Sequence, residues 1–250
     1  MPTTIFNSPI GPLIGHRGVT ESAPENTLVA IEKAAEYGCK WVEIDAQLTK
    51  DLIPVLMHDD DLDRTTSAKG RLADKYLRDL ALVDAGAWYD PPHPGQKIPT
   101  LRECLRLCFE LDLRINVEIK PTEGLDEITA EKVMETLIDF WPEDKAPPLI
   151  SSFSRSAMKI AQAAAPEWPR GMLYHGLDED WLAFAKEVDA WSLHVWDEGL
   201  TQEQVTAMQS EGYPVLVYSV DDLKTSQRMK DFGVDAIFTG APEIMGGIWS

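Results

Sequence analysis

Nine extended apolar runs alternate with amphipathic helical stretches along this 250-residue chain, and this alternation constrains the fold more than any other feature. In one helical stretch, NTLVAIEKAAEYG, Asn26 is expected to cap the N-terminus and Gly38 to end the helix. The nine runs are PLIGH, KWVEIDAQL, LIPVLMH, LRINVEIK, PPLISSF, RGMLYH, VDAWSLHV, YPVLVYSV and VDAIFTG. Repeated strand and helix patterns of this kind predict βα units that build a parallel sheet.

The spacing of the runs narrows the fold class. Only the short TKD segment separates the second run from the third, whereas a parallel crossover needs about a dozen residues. These two runs are therefore predicted to form a hairpin that opens an insertion at about residues 48–98. The eight remaining runs predict an α/β fold, a (β/α)8 TIM barrel with a small insertion after the second strand. No linker or change of composition divides the chain, so residues 1–250 are expected to form a single catalytic domain.

Charge and cysteine content limit the partners and the compartment. A formal net charge of −19 argues against nucleic acid and anionic membranes, because both attract clustered Lys and Arg. Three cysteines without metal-like spacing predict reduced thiols, with Cys104 and Cys108 on the buried face of a helix. The N-terminal MPTTIFNSPIGPL lacks a basic region before a long apolar segment, and no run approaches the roughly 18 apolar residues of a membrane span. These features predict a cytoplasmic protein without stable membrane association, and they leave its oligomeric state open.

Three carboxylates are expected to converge at the barrel mouth, where barrel active sites lie. Glu43 and Asp45 stand two residues apart on one run and so share a face, and Glu118 stands on a neighbouring run. A charge facing the helices would be buried in apolar packing, which favours the inward face for all three. The competing interpretation of the first pair is a solvated strand face. Because converging carboxylates need a cation and oxygen ligands suit hard ions, the set predicts a divalent metal, Mg²⁺ or Ca²⁺.

Cations and histidines surround the same mouth. Arg17 and Lys120 are predicted to bind an anionic phosphate, for which the planar fork of arginine is well matched. His16 ends the first run and His58 ends the hairpin strand, so the two imidazoles can lie on opposite sides of a phosphorus atom. One would take a proton from the attacking oxygen and the other would give one to the leaving oxygen. The carboxylate of Asp59 is a candidate for orienting His58.

Other polar residues are expected to be structural. His93 lies in the turn-rich segment PPHPG, and His175 and His194 have no comparable cluster of polar residues around them. The acidic run DDDLD at 59–63 lacks the glycine and the terminal glutamate of an EF-hand loop, so a solvated turn is the preferred interpretation.

The order of several motifs resembles the glycerophosphodiester phosphodiesterase family over nearly the whole chain. The resemblance implies hydrolysis of a small-molecule glycerophosphodiester to glycerol 3-phosphate and an alcohol, by a metal-dependent enzyme built on a TIM barrel. It implies that His16 and His58 form the acid–base pair, and that Arg17, Lys120 and Tyr218 contact substrate. It further implies that the metal ligands are Glu43, Asp45 and Glu118. The matching motifs are HRG (16–18), APENT (23–27), EIDAQLTKD (43–51), PVLMHDDDLDRTT (54–66), IPTLRE (98–103), NVEIK (116–120), SSFSRSAM (151–158) and GVDAIFTGAPE (233–243).

Three positions depart from the family pattern. Leu52 stands where the hairpin turn commonly has glycine, which is tolerable if the turn needs no positive φ. Tyr218 stands where tryptophan is frequent, so an aromatic wall is kept while the packing of glycerol or leaving group changes. Gly240 follows Thr239 where an aspartate is frequent, which removes a carboxylate from the last strand end.

Two other functional classes remain open from the sequence. One is a lipid-cleaving enzyme, either a lyase similar to phosphatidylinositol-specific phospholipase C or a lysophospholipase D, which needs an apolar or basic rim at the barrel mouth. The other is a phosphate-ligand binding protein that retains the pocket without the chemistry. Within the hydrolase interpretation, the sequence leaves open the alcohol, the choice between Mg²⁺ and Ca²⁺, and which histidine is the acid. It also leaves open whether water attacks phosphorus directly or the glycerol hydroxyl attacks first and forms a cyclic phosphate intermediate.

Overall fold

The structure, a computed structural model, describes residues 11–249, and the prediction drawn from the first ten residues lies outside them. Nine strands, nine α-helices and one short 3-10 helix (Leu72–Asp74) are assigned in this part of the chain. The strands are β1 Leu13–Gly15, β2 Trp41–Leu48, β3 Pro54–Leu56, β4 Arg114–Ile119, β5 Leu149–Ser152, β6 Arg170–Tyr174, β7 Ser192–Trp196, β8 Val215–Tyr218 and β9 Ala236–Thr239. The helices are α1 Leu28–Glu36, α2 Leu77–Leu80, α3 Leu101–Glu110, α4 Asp126–Phe140, α5 Arg155–Ala164, α6 Trp181–Glu187, α7 Gln202–Ser210, α8 Leu223–Phe232 and α9 Pro242–Trp249. Each predicted run contains one strand.

Eight of the strands close into a parallel barrel, which confirms the predicted fold class. The sheet order is β1-β9-β8-β7-β6-β5-β4-β2, and β1 also pairs with β2 in parallel to complete the ring. Helices lie between successive strands, as a right-handed crossover connection requires. The carboxyl ends of all eight strands therefore meet at one mouth, where residues from distant parts of the chain come together. No helix within residues 11–249 combines the length and apolar character needed to cross a membrane.

The ninth strand, β3, pairs antiparallel with the far end of β2, as the short connection predicts. Leu48 of β2 lies opposite Pro54, beyond the part of β2 that pairs with β4. The segment from 49 to 100, here called the insertion, then returns to β3, where the Leu56 N–H donates to the Pro99 carbonyl at 2.9 Å. The insertion packs around its own small group of buried apolar residues: Val55, Met57, Leu62, Leu72, Leu80, Val83, Ala85 and Ile98. The insertion thus has an apolar core of its own.

Strand β2 shows why charged residues lie inside this barrel. Val42 and Ile44 point outward into the apolar layer shared with the helices. Because side chains alternate along a strand, Glu43 and Asp45 take the opposite, inward face. All eight residues of β2 are buried, so a solvated strand face, the alternative interpretation, is wrong.

The start of α1 differs from the prediction. The N-cap is Thr27, whose hydroxyl accepts from the Ala30 N–H at 3.4 Å, rather than Asn26. Asn26 instead has a left-handed backbone (φ 55°), a conformation that asparagine tolerates better than most residues. Its side chain is directed away from the helix, toward the acidic cluster described below. Gly38 follows the helix with φ 83°, as predicted for a C-terminal stop.

Leu52 in the hairpin turn has φ 61°, so this turn does require the left-handed conformation that glycine usually supplies. We expect Leu52→Gly to raise the free energy of unfolding by about 0.5–1 kcal/mol. Relief of strain is worth about 1–2 kcal/mol, and greater freedom of the unfolded chain offsets part of it. The side chain is 38% exposed, so little apolar burial is lost. Urea unfolding measures the change.

Leu111 provides the matched control for that substitution. Its exposure of 36% is similar, but its φ of −88° is ordinary. Leu111→Gly should therefore lower stability. If both glycine variants lower the free energy of unfolding, the positive φ of Leu52 carries no strain.

Candidate active site

Three buried carboxylates meet at the mouth, where β2 and β4 run side by side. Asp45 is paired in register with Glu118, and Glu43 lies one inward-facing position deeper on β2. One carboxylate oxygen from each of Glu43, Asp45 and Glu118 lies within 4.8 Å of the other two. The structure thus brings together all three residues predicted as metal ligands.

Burial and mutual repulsion dominate the electrostatics of this acidic cluster. Burial, with repulsion from Asp45 and Glu118, raises the pKa of Glu43 well above its usual value. Burial and the Asp45 charge raise the pKa of Glu118 to about 7. Burial also opposes ionisation of Asp45, but the charges of Arg17 and Lys120 hold the pKa of that carboxyl below its usual value. Two of the three groups therefore lack enough positive charge from the protein alone.

Hydrogen bonds hold the cluster in place from the α1 side. The Asn26 amide donates to Asp45 Oδ2 at 2.8 Å, and its own oxygen accepts from the Asp45 N–H at 3.2 Å. The backbone N–H of Arg17 donates to Glu43 Oε2 at 2.9 Å. Asn26 and Arg17 (φ 52°) both occupy the left-handed region, and such strained backbones concentrate at functional sites.

The predicted phosphate-binding cations lie beside the carboxylates. Arg17 Nε is 3.3 Å from Asp45 Oδ2, and Arg17 Nη1 donates to Glu25 Oε1 at 3.0 Å. Lys120 Nζ is 3.5 Å from Glu118 Oε1. Both cations also line the cavity at the barrel mouth, so their positive charge is available to an anion bound there.

Both predicted histidines line this cavity, His16 from the end of β1 and His58 from the insertion. Burial and the Arg17 charge lower the pKa of His16 to about 3. Burial also lowers the pKa of His58, although Asp45 acts in the opposite direction. Both imidazoles are therefore neutral near pH 7.

Asp59 orients the His58 ring, as predicted. Its Oδ1 lies 2.7 Å from His58 Nδ1, which favours a proton on Nδ1 and leaves Nε2 free to accept one. The backbone around the ring is fixed from the barrel, because the Gln47 amide nitrogen contacts the carbonyls of Met57, His58 and Asp59 at 2.8–3.0 Å. The barrel strand β2 therefore holds this part of the insertion, and with it His58, in place.

A single guanidinium joins the two sides of the mouth. Arg64 Nε and Nη2 donate to Asp59 at 2.6 and 2.9 Å, and Nη1 and Nη2 donate to Glu25 at 2.7 and 2.8 Å. Glu25 also accepts from Arg17. His58 and Arg17 are thereby connected through Asp59, Arg64 and Glu25.

The cavity has a volume of about 560 Å³, and aromatic rings form its wall opposite the acidic cluster. The rings of Phe153 and His175 stack with centroids 4.4 Å apart. Tyr218 meets Phe153 edge to face at 5.9 Å, and its hydroxyl donates to the Tyr174 carbonyl at 2.8 Å. The Tyr218 side chain is thus placed as an aromatic wall, while its hydroxyl is already engaged by the protein.

Gly240 is explained by a close approach to the first barrel loop. A Cβ at this position would lie 2.0 Å from Thr20 Oγ1 and 3.3 Å from the Thr20 backbone nitrogen. An aspartate here would therefore require the Thr20 hydroxyl to turn away and the rest of Thr20 to shift by a few tenths of an ångström. The Gly240 N–H instead donates to Asp221 Oδ1 at 2.7 Å, so Asp221 supplies the carboxylate at the end of the last strand.

Several residues of the site were missed by sequence reasoning. His175 lines the cavity and immediately follows β6, so the rule applied to His16 could have identified it. Glu25 and Arg64 lie inside recognised motifs, but their pairing across 39 residues has no local signal. His194 is buried on β7 and also lines the cavity.

The donor set fits a hard divalent cation. Glu43 Oε1 is buried without a hydrogen-bond partner among the residues described, and a buried carboxylate oxygen is costly when it lacks one. The candidate ligands are all carboxylate oxygens, the kind of ligand that Mg²⁺ and Ca²⁺ prefer. A cation at this position would satisfy Glu43 and offset the repulsion within the cluster.

Comparison with known proteins gives the same family from sequence and from structure. A glycerophosphodiester phosphodiesterase of Caldanaerobacter subterraneus is 34% identical over 234 residues, which is 93% of this chain and 95% of that protein. A phosphodiesterase from Oleispira antarctica, solved in complex with the product sn-glycerol-3-phosphate, superposes with a TM-score of 0.91 at 35% identity. The superposition covers 95% of this chain and 96% of that one. A glycerophosphodiester phosphodiesterase from Thermotoga maritima shares the fold (TM-score 0.75, 24% identity, 95% and 98% coverage).

The match takes in β2 and β4, which carry the acidic cluster, and also both histidines. The sequence profile of the glycerophosphoryl diester phosphodiesterase family covers residues 16–244, from the end of β1 into α9. With relatives of this similarity along nearly its full length, the chain belongs to the glycerophosphoryl diester phosphodiesterase family and is a phosphoric diester hydrolase.

Proposed function

We propose that this protein hydrolyses glycerophosphodiesters to glycerol 3-phosphate and an alcohol by metal-dependent acid–base catalysis. The observation that carries the proposal is the convergence of an acidic cluster, two cations and two neutral histidines on one cavity. The relative from Oleispira antarctica binds sn-glycerol-3-phosphate as its product, which supports the same class of substrate here.

Glu43, Asp45 and Glu118 would hold the divalent cation, Mg²⁺ or Ca²⁺. When bound, such a cation withdraws negative charge from the non-bridging oxygens of the phosphodiester. Arg17 and Lys120 bind the phosphate by charge-assisted hydrogen bonds, because both reach the cavity from the side of the carboxylates. Asp45 and Glu25 hold Arg17 in that orientation.

His16 and His58 act on the oxygen that attacks phosphorus and on the oxygen that leaves it. One imidazole, which is neutral, takes the proton of the attacking oxygen. The other gives a proton to the leaving alcohol, and it is protonated in the complex because the negative charge of the bound phosphodiester raises the pKa of a neighbouring imidazole. His58 is oriented for this role through the Asp59 contact at Nδ1. Tyr218 contributes an apolar surface for the carbons of the substrate. The three cysteines are free thiols, which supports a reducing, cytoplasmic location.

The reaction is tested by incubating the protein with glycerophosphocholine and glycerophosphoethanolamine, with Mg²⁺, Ca²⁺ or EDTA. We expect release of glycerol 3-phosphate that EDTA abolishes and one of the two metals restores. Choline phosphate as the product would place cleavage on the other side of phosphorus. No product from either substrate under any condition would favour the lipid-cleaving or binding-only alternatives.

Arg64 is expected to affect turnover even though it does not line the cavity. Loss of a group that orients a catalytic residue typically costs about 10- to 100-fold in activity, so Arg64→Ala should lower kcat by about that factor. Arg64→Lys should recover little, because an ammonium group cannot replace the fork that engages Asp59 and Glu25 together. Steady-state kinetics on glycerophosphocholine give kcat and KM separately.

Lys159→Ala is the matched control, since it removes another exposed cation, one paired with Glu187 at 2.7 Å. Surface ion pairs contribute only about 0–1 kcal/mol to stability. An Arg64→Ala variant with wild-type kcat would show that this connection is merely a surface ion pair.

A further inference from the structure

Two buried polar side chains at the floor of the cavity have unused hydrogen-bonding atoms. Asn116 and His194 are 1% and 0% exposed, and both line the cavity. Among residues 11–249, no protein group hydrogen-bonds to Asn116 Oδ1 or to His194 Nδ1. Buried polar atoms of this kind are costly unless a ligand or water satisfies them.

Each of these side chains is held by its other end. The Asn116 amide nitrogen donates to Ser151 Oγ at 2.9 Å, which fixes the position of Oδ1. His194 Nε2 lies 2.9 Å from Ser192 Oγ, and a Cβ on Gly171 would lie only 2.4 Å from that nitrogen. Glycine at 171 is therefore what makes room for the ring. The remaining atoms, Oδ1 and Nδ1, are preorganised rather than free to rotate toward other partners.

Both residues lie one inward-facing position below residues of the mouth. Asn116 stands two residues before Glu118 on β4, and His194 stands two residues before Trp196 on β7. Trp196 is 40% exposed, so the mouth of the cavity is open to solvent, whereas the floor is closed to it. A small, constant part of a substrate fits the closed floor, and a variable part fits the open mouth.

The floor of the cavity is chemically complementary to a polyol. Leu173 and Phe238 also line it, and the ring of Phe238 lies 5.1 Å from the ring of His194. Apolar surface with a few placed polar atoms is typical of small-molecule sites. A carbon chain bearing hydroxyls matches this surface, because its carbons contact the apolar side chains and its hydroxyls meet Oδ1 and Nδ1. Burial lowers the pKa of His194 to about 3, so its ring is neutral and suits an uncharged partner.

We infer that Asn116 and His194 form a hydroxyl-recognition subsite that binds the free hydroxyls of the glycerol moiety at the floor of the barrel. This inference rests on the proposed function, and it assigns the two ends of the substrate. Glycerol is directed inward to the level of Glu43, which pairs in register with Asn116. The alcohol of the diester is directed out past the rings of His175 and Trp196, which meet edge to face at 6.1 Å.

Equilibrium binding tests the subsite independently of turnover. The probes are sn-glycerol 3-phosphate and its 1-deoxy analogue, which lacks one hydroxyl and keeps the phosphate, both titrated calorimetrically in the presence of Mg²⁺. A buried group left unpaired costs about 1–3 kcal/mol, which corresponds to a 5- to 150-fold change in Kd. We therefore expect the wild-type protein to bind the analogue at least fivefold more weakly.

His194→Phe should abolish the discrimination, bringing the two Kd values to within about threefold. The phenylalanine keeps a ring against Phe238, and a paired Ser192→Ala change removes the hydroxyl that would lose its partner. Asn116→Leu is the second variant, should the first not fold, and circular dichroism checks both. His93→Phe, on the insertion and away from the cavity floor, is the control and should keep the wild-type ratio.

Equal Kd values for the two probes in the wild-type protein, or no binding of either, would overturn the subsite. So would discrimination that persists in both floor variants, because the hydroxyls would then be recognised elsewhere. Turnover of glycerophosphocholine is measured in parallel. A protein that binds with the expected ratio but releases no product contradicts the proposed hydrolysis and leaves the subsite supported. If the protein releases product but binds both probes with equal Kd values, the subsite is contradicted and the proposed hydrolysis is not.

Discussion

His58→Ala is expected to lower kcat for glycerophosphodiester hydrolysis by about 10²- to 10⁴-fold, the usual contribution of a general acid or base. The expected loss is large because several groups hold the His58 ring in one orientation. Asp59 fixes its Nδ1, and Gln47 fixes the carbonyls on both sides of it. KM should change little, because phosphate binding is assigned to Arg17 and Lys120. Steady-state kinetics with glycerophosphocholine provide the measurement.

Asp59→Asn refines the same prediction. An amide nitrogen facing Nδ1 favours a proton on Nε2, so the ring would present the wrong atom to the substrate. We expect a loss of kcat smaller than that of His58→Ala but in the same direction. His93→Ala, also on the insertion, is the histidine control. If His58→Ala retained more than a tenth of wild-type kcat, His58 would not be part of the acid–base pair.

The pH profile provides an independent check on His58. Burial lowers its pKa below the ordinary 6.5, so its neutral form persists further into acid than that of a free imidazole. A reaction that needs the neutral form in the free enzyme loses rate only as pH falls through this lowered pKa. The acidic limb of kcat/KM is therefore expected below pH 6.5 and should disappear in His58→Ala.

Glu43→Gln is expected to abolish metal-dependent turnover, with a loss of at least about 10³-fold when a metal ligand and its charge are removed together. The same change should leave the metal-free protein at least as stable as the wild type. Burial already favours the neutral form of Glu43, and an uncharged amide no longer repels Asp45 and Glu118. Activity and stability are thus expected to move in opposite directions.

Thermal unfolding with and without Mg²⁺ separates these effects. A ligand at 100 times its Kd stabilises the folded state by about 2.7 kcal/mol, so the wild type should gain stability from saturating Mg²⁺. Glu43→Gln should gain little. Glu103→Gln, which removes an exposed carboxylate from the start of α3, controls for net charge. Equal stabilisation of wild type and Glu43→Gln by Mg²⁺ would contradict the assignment of Glu43 as a ligand.

Most of the fold and the acidic cluster could be predicted because they depend on short-range pattern. Alternation along β2 placed Glu43 and Asp45 on one face, and the short connection to β3 excluded a parallel crossover. Register between strands then determined which positions meet, and Asp45 lies opposite Glu118. Polar residues at inward-facing positions of barrel strands can be recognised in the sequence, because they interrupt an otherwise apolar run at every second position.

The features that escaped prediction depend on contacts between distant segments. Asn26 was expected to cap α1, because its sequence context matches a helix start, yet its side chain binds Asp45. A leucine at position 52 does not itself indicate the positive φ of the turn, which only the glycine common at this position in the family suggests. His194 resembles an ordinary buried histidine until the cavity above it and the absence of a side chain at Gly171 are known.

Glu43, Asp45 and Gln47 follow one another on the same face of β2, so one continuous strand carries two candidate ligands and the amide that fixes the loop around His58. Substitutions at any one of these positions leave the other two in place. A one-residue deletion or insertion within the strand would instead turn the residues beyond it to the opposite face. Exchanging one of these side chains therefore removes one role at a time, whereas a change in the length of this strand would remove several roles together.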